Sequence, residues 1–121
     1  MKKPPNLSII RGLLFTYSTE NIKDLEIEEL IVSKNVNNTT ELSELFDTLT
    51  KPEFISYTKD DQNWLISTLS HYLSTDDNFD SVFYLFDTYF DDEVSDHRQF
   101  MKVLLECLTR YQTEATENKF D

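Results

Sequence analysis

Apolar residues recur with the period of a helix along most of this chain. Asn6 can cap a first helix whose apolar positions Ile10, Leu13, Leu14 and Tyr17 follow the i, i+3, i+4, i+7 spacing. Residues 20–33 mix two patterns. Leu25 and Ile27 alternate with Asp24, Glu26 and Glu28, as in a strand. Ile27, Leu30 and Ile31 suit a helix, and the glutamates tip the reading to helix. Asn35 to Asn38 reads as a loop. Thr40 then starts a short helix with Leu42, Leu45, Phe46 and Leu49 on one face. Lys51-Pro52 is expected to end it, because the residue before a proline avoids the helical region.

The second half follows a plan used three times. A hydroxyl residue is followed by polar or acidic residues and then by a helical apolar stripe. The hydroxyls are Thr58, Thr75 and Ser95. Each can accept a bond from a free amide of the first turn, and acids there suit the positive helix end. The expected helices are 59–73, 76–91 and 96–113. Leu65, Thr68, Leu69, Tyr72 and Leu73 form the buried face of the first, with Trp64 at its edge. Phe100, Val103, Leu104, Leu108 and Tyr111 form that of the third, with Cys107 among them as a small buried apolar residue. The fold class is therefore all-α: an irregular antiparallel helical bundle, or a short helical-repeat-like stack, of about five to six helices. One domain covers 1–121, with 114–121 as a frayed tail.

Composition narrows the function classes. The chain has 121 residues, with 23 acids against 11 bases and a formal charge of −12. A nonspecific nucleic-acid binder needs the opposite sign to displace counterions from phosphates, and so does a protein docking on an anionic membrane. One glycine excludes Gly-rich phosphate loops, and one cysteine excludes an internal disulfide or a cysteine zinc cluster. The longest purely apolar run is Val82 to Phe86, too short to span a membrane. No apolar stretch follows Met1-Lys2-Lys3 as a secretory leader requires. The expected location is the cytoplasm.

The charge is uneven. Between Lys59 and Arg98 stand ten acids and no base: Asp60, Asp61, Asp76, Asp77, Asp80, Asp87, Asp91, Asp92, Glu93 and Asp96. First-turn acids stabilise their own helices and need no further purpose. Asp87, Asp91, Asp92 and Glu93 fall at the expected end of the 76–91 helix, where carboxylates oppose the dipole. On a wheel at 100° per residue, Phe79, Val82, Phe83, Phe86 and Phe90 share one narrow core sector. Asp77, Asp80, Tyr84, Asp87 and Asp91 form a second stripe about 100° away. Like charges at these spacings cost roughly 0.2–0.5 kcal/mol per pair. The stripe, with Asp92 and Glu93, is the candidate binding site for a basic protein, and Tyr84 is its candidate anchor. Tyr89, on the other flank of the Phe stripe, is expected to be partial core.

Catalytic and metal chemistries find little support. Asp76 to Asp80 opens like a calcium loop, but position six is Ser81 where the turn needs glycine, and position twelve is Asp87 where a bidentate Glu is usual. Asp91, Asp92, Glu93 and Asp96 form at most a loose cation site. His71 and His97 stand outside any zinc spacing and read as surface residues. Paired carboxylates could be drawn anywhere in so acidic a chain. The expectation is no enzyme, no metal and no cofactor.

A small, acidic, single-domain helical protein with an acidic helix bearing a tyrosine resembles the bacterial immunity proteins. These neutralise toxins of colicin or contact-dependent growth inhibition systems. The paired-tyrosine motif of the nuclease-colicin members has no counterpart here. The resemblance implies a monomeric toxin inhibitor that covers a basic nuclease surface, without contacting nucleic acid itself. Two other readings share the composition. One is a phage or mobile-element mimic of nucleic acid that inhibits a DNA-binding protein. The other is a helical adaptor whose charge serves solubility.

Overall fold

The computed structural model describes residues 4–19, 24–84, 88–90 and 93–118. Helix α1 spans Leu7–Leu13 and tightens into a 3-10 turn over Leu14–Tyr17. Asn6 caps it as expected, its Oδ1 accepting from the Ser8 amide at 2.9 Å. Ile10, Leu13, Leu14 and Tyr17 are all buried. Helix α2 is Leu25–Ser33, so the helical reading of this stretch holds from residue 25. Residues 20–23 lie outside the described residues.

Helix α3, Thr39–Leu45, begins one residue earlier than expected. Its cap is Asn38, whose Oδ1 accepts from the Thr40 and Glu41 amides. Pro52 does not end the helical run. A wide π turn over Phe46–Thr50 leads directly into α4, Lys51–Ser56. The Lys51 amide reaches back five residues to the Phe46 carbonyl. Pro52 has no amide to offer and its ring crowds the carbonyl four residues earlier. The widened turn ahead of it supplies room, and Pro52 occupies the first turn of α4, where its missing donor costs nothing.

Helix α5 is Lys59–Leu73, with the expected bounds and the expected Thr58 cap. Leu65, Thr68 and Leu69 are buried, and Tyr72 and Leu73 are half-buried. Trp64 lies half-buried and its indole donates to the Pro4 carbonyl at 2.8 Å, tying Pro4 to α5.

The expected 76–91 helix does not form. A short helix α6 covers only Asp80–Phe83. Ahead of it Phe79 sits in the left-handed region, at φ 61° and ψ 15°. That conformation costs an L-residue about 1–2 kcal/mol. Complete burial of the Phe79 ring, worth about 1.5–3 kcal/mol, offsets it. The local sequence supports the bend. Asp77 Oδ1 accepts from the Phe79 amide at 2.7 Å, and Asn78 Oδ1 accepts from the Asp80 amide at 3.0 Å. Such side chains offer the backbone an alternative to helix. Beyond α6 the chain is extended at Thr88, which forms an isolated antiparallel bridge with Ser18. The Tyr89 amide donates to the Tyr17 carbonyl.

Helix α7 runs over His97–Asn118, five residues beyond the expected end at 113. Its start is served by Asp96, whose Oδ1 accepts from the Gln99 amide, rather than by Ser95. Residues 119–121 of the expected tail lie outside the described residues. With Thr39–Ser56 counted as one run, the described residues hold six helical segments and no strand: an all-α bundle. Helix α7 packs on α3, α4 and α5, and α1 lies across α5 and α6. Phe46, Phe54, Phe79, Phe100, Tyr17 and Tyr111 fill the centre. Their polar ends are satisfied. The Tyr17 and Thr50 hydroxyls are 2.7 Å apart, and the Tyr111 hydroxyl donates to Asp47 at 2.5 Å. No helix among the described residues is long and apolar enough to cross a membrane.

Candidate partner-binding surface

Without a helix over 76–91, the candidate acids cannot form one helix stripe. The described ones lie instead on residues 76–84 and 93–96, which are held against the start of α7. Arg98 holds one end. Its guanidinium donates to the carbonyls of Leu73, Thr75 and Asp77 at 2.7, 2.9 and 2.7 Å. These carbonyls lie at and just beyond the C-terminus of α5, where helical partners run out. A planar fork of donors suits three carbonyls that converge from a turn.

His97 holds the middle. Its Nδ1 lies 3.0 Å from Asp80 Oδ1, and its ring stacks on Phe83 with centroids 4.1 Å apart. Phe83 in turn meets Phe100 edge-on at 5.4 Å. His97 is therefore a positioning residue for α6, not the plain surface residue its first-turn place suggested. Asn37 holds the far end. Its Oδ1 accepts from the Ser95 amide and hydroxyl, and its Nδ2 donates to the Glu93 carbonyl at 2.9 Å.

These anchors decide where the candidate residues go. Asp77 is half-buried and spends Oδ1 on the Phe79 turn. Asp80 is exposed beside His97. Tyr84 directly follows α6 and is 69% exposed, the most exposed large aromatic among the described residues. Glu93 is exposed, and only its backbone carbonyl is held by Asn37. Asp87, Asp91 and Asp92 lie outside the described residues, as does Phe86. Tyr89 is half-buried, as expected. Burial raises its phenol, and the Glu28 carboxylate against it raises it further. Asp76 and Asp96, outside the candidate stripe, are exposed on the same segment.

Sequence reasoning missed Arg98, His97 and Asn37. One signal was present. Arg98 and His97 stand in the first turn of α7, where a cation faces the positive end of the dipole. A base placed there against helix preference has another use, and here the use is to hold the 73–77 backbone. Asn37 gives no such signal, since its partners are more than fifty residues away.

The described residues contain no group of three or more His, Cys, Asp or Glu side chains placed to hold a metal ion. The cavity bounded by Leu14, Tyr17, Val82, Phe83, Thr88, Phe90 and Phe100 is apolar and barely admits a water. Cys107 is buried, and burial raises its thiol. Among the described residues, the surface of 76–96 thus offers exposed charge and one largely exposed aromatic ring, Tyr84, which suit recognition. No protein-family model, curated protein or solved structure matches this chain.

Proposed function

We propose that this chain is a non-catalytic binding protein that neutralises a basic toxin domain, a nuclease in the first instance. On this reading it works as a monomer in the bacterial cytoplasm, without a cofactor. The observation that carries the proposal is the fixed acidic segment with Tyr84 on it. Ten acids lie between Lys59 and Arg98, and Arg98 turns its guanidinium inward to backbone carbonyls. The exposed carboxylates Asp76, Asp80, Glu93 and Asp96 share the segment with a 69% exposed tyrosine. Clustered charge of one sign speeds encounter with an opposite surface, and a rigid aromatic in a desolvated pocket slows dissociation. A nuclease presents such a basic surface to phosphates, and an acidic cover excludes its substrate.

The test is capture from host lysate and secretome at low and high salt, with wild type and with Tyr84→Ala plus Glu93→Lys as bait. Neither side chain makes a described hydrogen bond, so the variant keeps its fold. One basic protein, released by salt, lost with the variant and inhibited in nuclease assay by wild type, is the expected result. A captured host DNA-binding protein without toxin activity would favour the nucleic-acid mimic instead. Partners indifferent to salt and to both substitutions would refute the acidic-surface reading.

A further inference from the structure

Helix α2 has more apolar surface than its packing uses. Ile31 is fully buried, and Ile27 and Leu30 are half-buried against the core. Leu25 and Val32 point elsewhere. They are 68% and 45% exposed. At 100° per residue these two lie about 20° apart on the helix wheel, on the side opposite Ile27, Leu30 and Ile31. Two turns separate them, the spacing at which a crossing helix meets a helix surface twice.

The rim of this second stripe is acidic. Glu29 lies about 40° to one side with Glu26 beyond it, both exposed; Glu28, about 60° to the other side, is half-buried and faces Tyr89. From Asp24 to Ser33 there are four carboxylates and no base. The flanking bases are Lys23, which lies outside the described residues, and Lys34, which is held by Glu44 at 2.7 Å. A helix serving only the bundle needs one apolar stripe and a polar back. Here the back carries two exposed apolar residues with exposed glutamates along one side.

We propose that the outer face of α2 is a docking surface for a basic amphipathic helix of a partner protein. The partner's apolar residues cover Leu25 and Val32, and lysines or arginines flanking them meet the exposed Glu26 and Glu29. Charge complementarity selects this occupant over a second copy of the chain, since two acidic rims would repel. The proposal does not depend on the toxin reading. It requires a partner helix of this chemistry, whatever that partner's activity.

The probe is a synthetic 18-residue helical peptide with leucines on one face and lysines elsewhere. A scrambled peptide of the same composition is the control. Both are titrated at 0.15 M salt into the full isotope-labelled chain, with amide shifts read residue by residue. The expected result is perturbation centred on residues 25–33 and at least tenfold weaker binding of the scrambled peptide. Leu25→Ser with Val32→Ser weakens the amphipathic peptide at least tenfold, while Tyr84→Ala with Glu93→Lys retains the apolar-dependent preference over the scrambled peptide. Equal binding of the two peptides, shifts centred on 76–96, or unchanged affinity of the α2 variant would each overturn the proposal. These outcomes leave the acidic-segment reading standing, and failure of that reading leaves this one standing.

Discussion

The Arg98 clamp makes a sharp prediction. Arg98→Met keeps the aliphatic stem and removes three hydrogen bonds to Leu73, Thr75 and Asp77. A hydrogen bond to a charged group is worth about 1.5–3 kcal/mol. The Thr75 carbonyl is at the exposed edge and can return to water, so it contributes little. The Leu73 and Asp77 bonds are partly buried and set the scale. The expected loss is about 3 kcal/mol. For 121 residues that lowers the melting temperature by roughly 10–15 °C. Urea unfolding at 0.15 M and 1 M salt measures it. Arg98→Lys separates geometry from charge, since the ammonium keeps the charge but cannot span three carbonyls. It should recover less than half of the loss. If Arg98→Lys matched wild type, or if the Met variant lost under about 1 kcal/mol, the fork would not be what holds the segment.

Three further outcomes are expected. Phe83→Ala should cost about 2 kcal/mol, below the 3–5 kcal/mol of a fully buried aromatic, because Phe83 is half-buried and loses mainly its His97 stack and its Phe100 contact; a melting curve unchanged from wild type would contradict the packing of α6. Asp47→Ala should cost about 2 kcal/mol through the bond from the buried Tyr111 hydroxyl, and in a Tyr111→Phe background the cost should shrink to that of the exposed Arg110 pair, under about 1 kcal/mol, as a double-mutant cycle would read. Alkali should unfold the protein. Burial raises the Tyr17 phenol above its ordinary 10, and burial followed by the Asp47 bond raises Tyr111. Below pH 10 both states keep these protons and stability is full. Above it the unfolded chain loses them first, so Tyr17 alone removes about 1.4 kcal/mol per pH unit until the folded phenol ionises. Urea midpoints at pH 8, 10 and 11, followed with the tyrosinate absorbance, measure this, and a flat midpoint through pH 11 refutes it.

Signals that lie close together in sequence are legible from the residues alone. Asn6 and Thr58 cap the helices they were expected to cap, and α5 has the expected bounds. The buried face of α7 is the expected one: Phe100, Val103, Leu104, Cys107, Leu108 and Tyr111. Caps and the 3.6-residue period act within one or two turns, so one sequence carries them in full. The acidic charge that marks the candidate surface is likewise a property of composition.

The shape of that surface was decided elsewhere. Phe79, Val82, Phe83 and Phe90 do contribute to the core, yet not from one helix. Apolar spacing states which rings are buried, not the backbone that carries them. Between 77 and 80, Asp77 and Asn78 turn the chain through local bonds, and Phe79 accepts a left-handed conformation to reach the core. Three side chains distant in sequence then hold the segment: Arg98 satisfies the carbonyls of Leu73, Thr75 and Asp77, His97 meets the Asp80 carboxylate, and Asn37 pairs with the Glu93 carbonyl and the Ser95 amide. The sequence by itself determined most of the helices, the core residues and the sign of the charge. Only the tertiary structure decided where the described part of that charge faces, because burial of Phe79, local turn bonds from Asp77 and Asn78 and long-range bonds from three side chains together outcompeted one segment's helical preference.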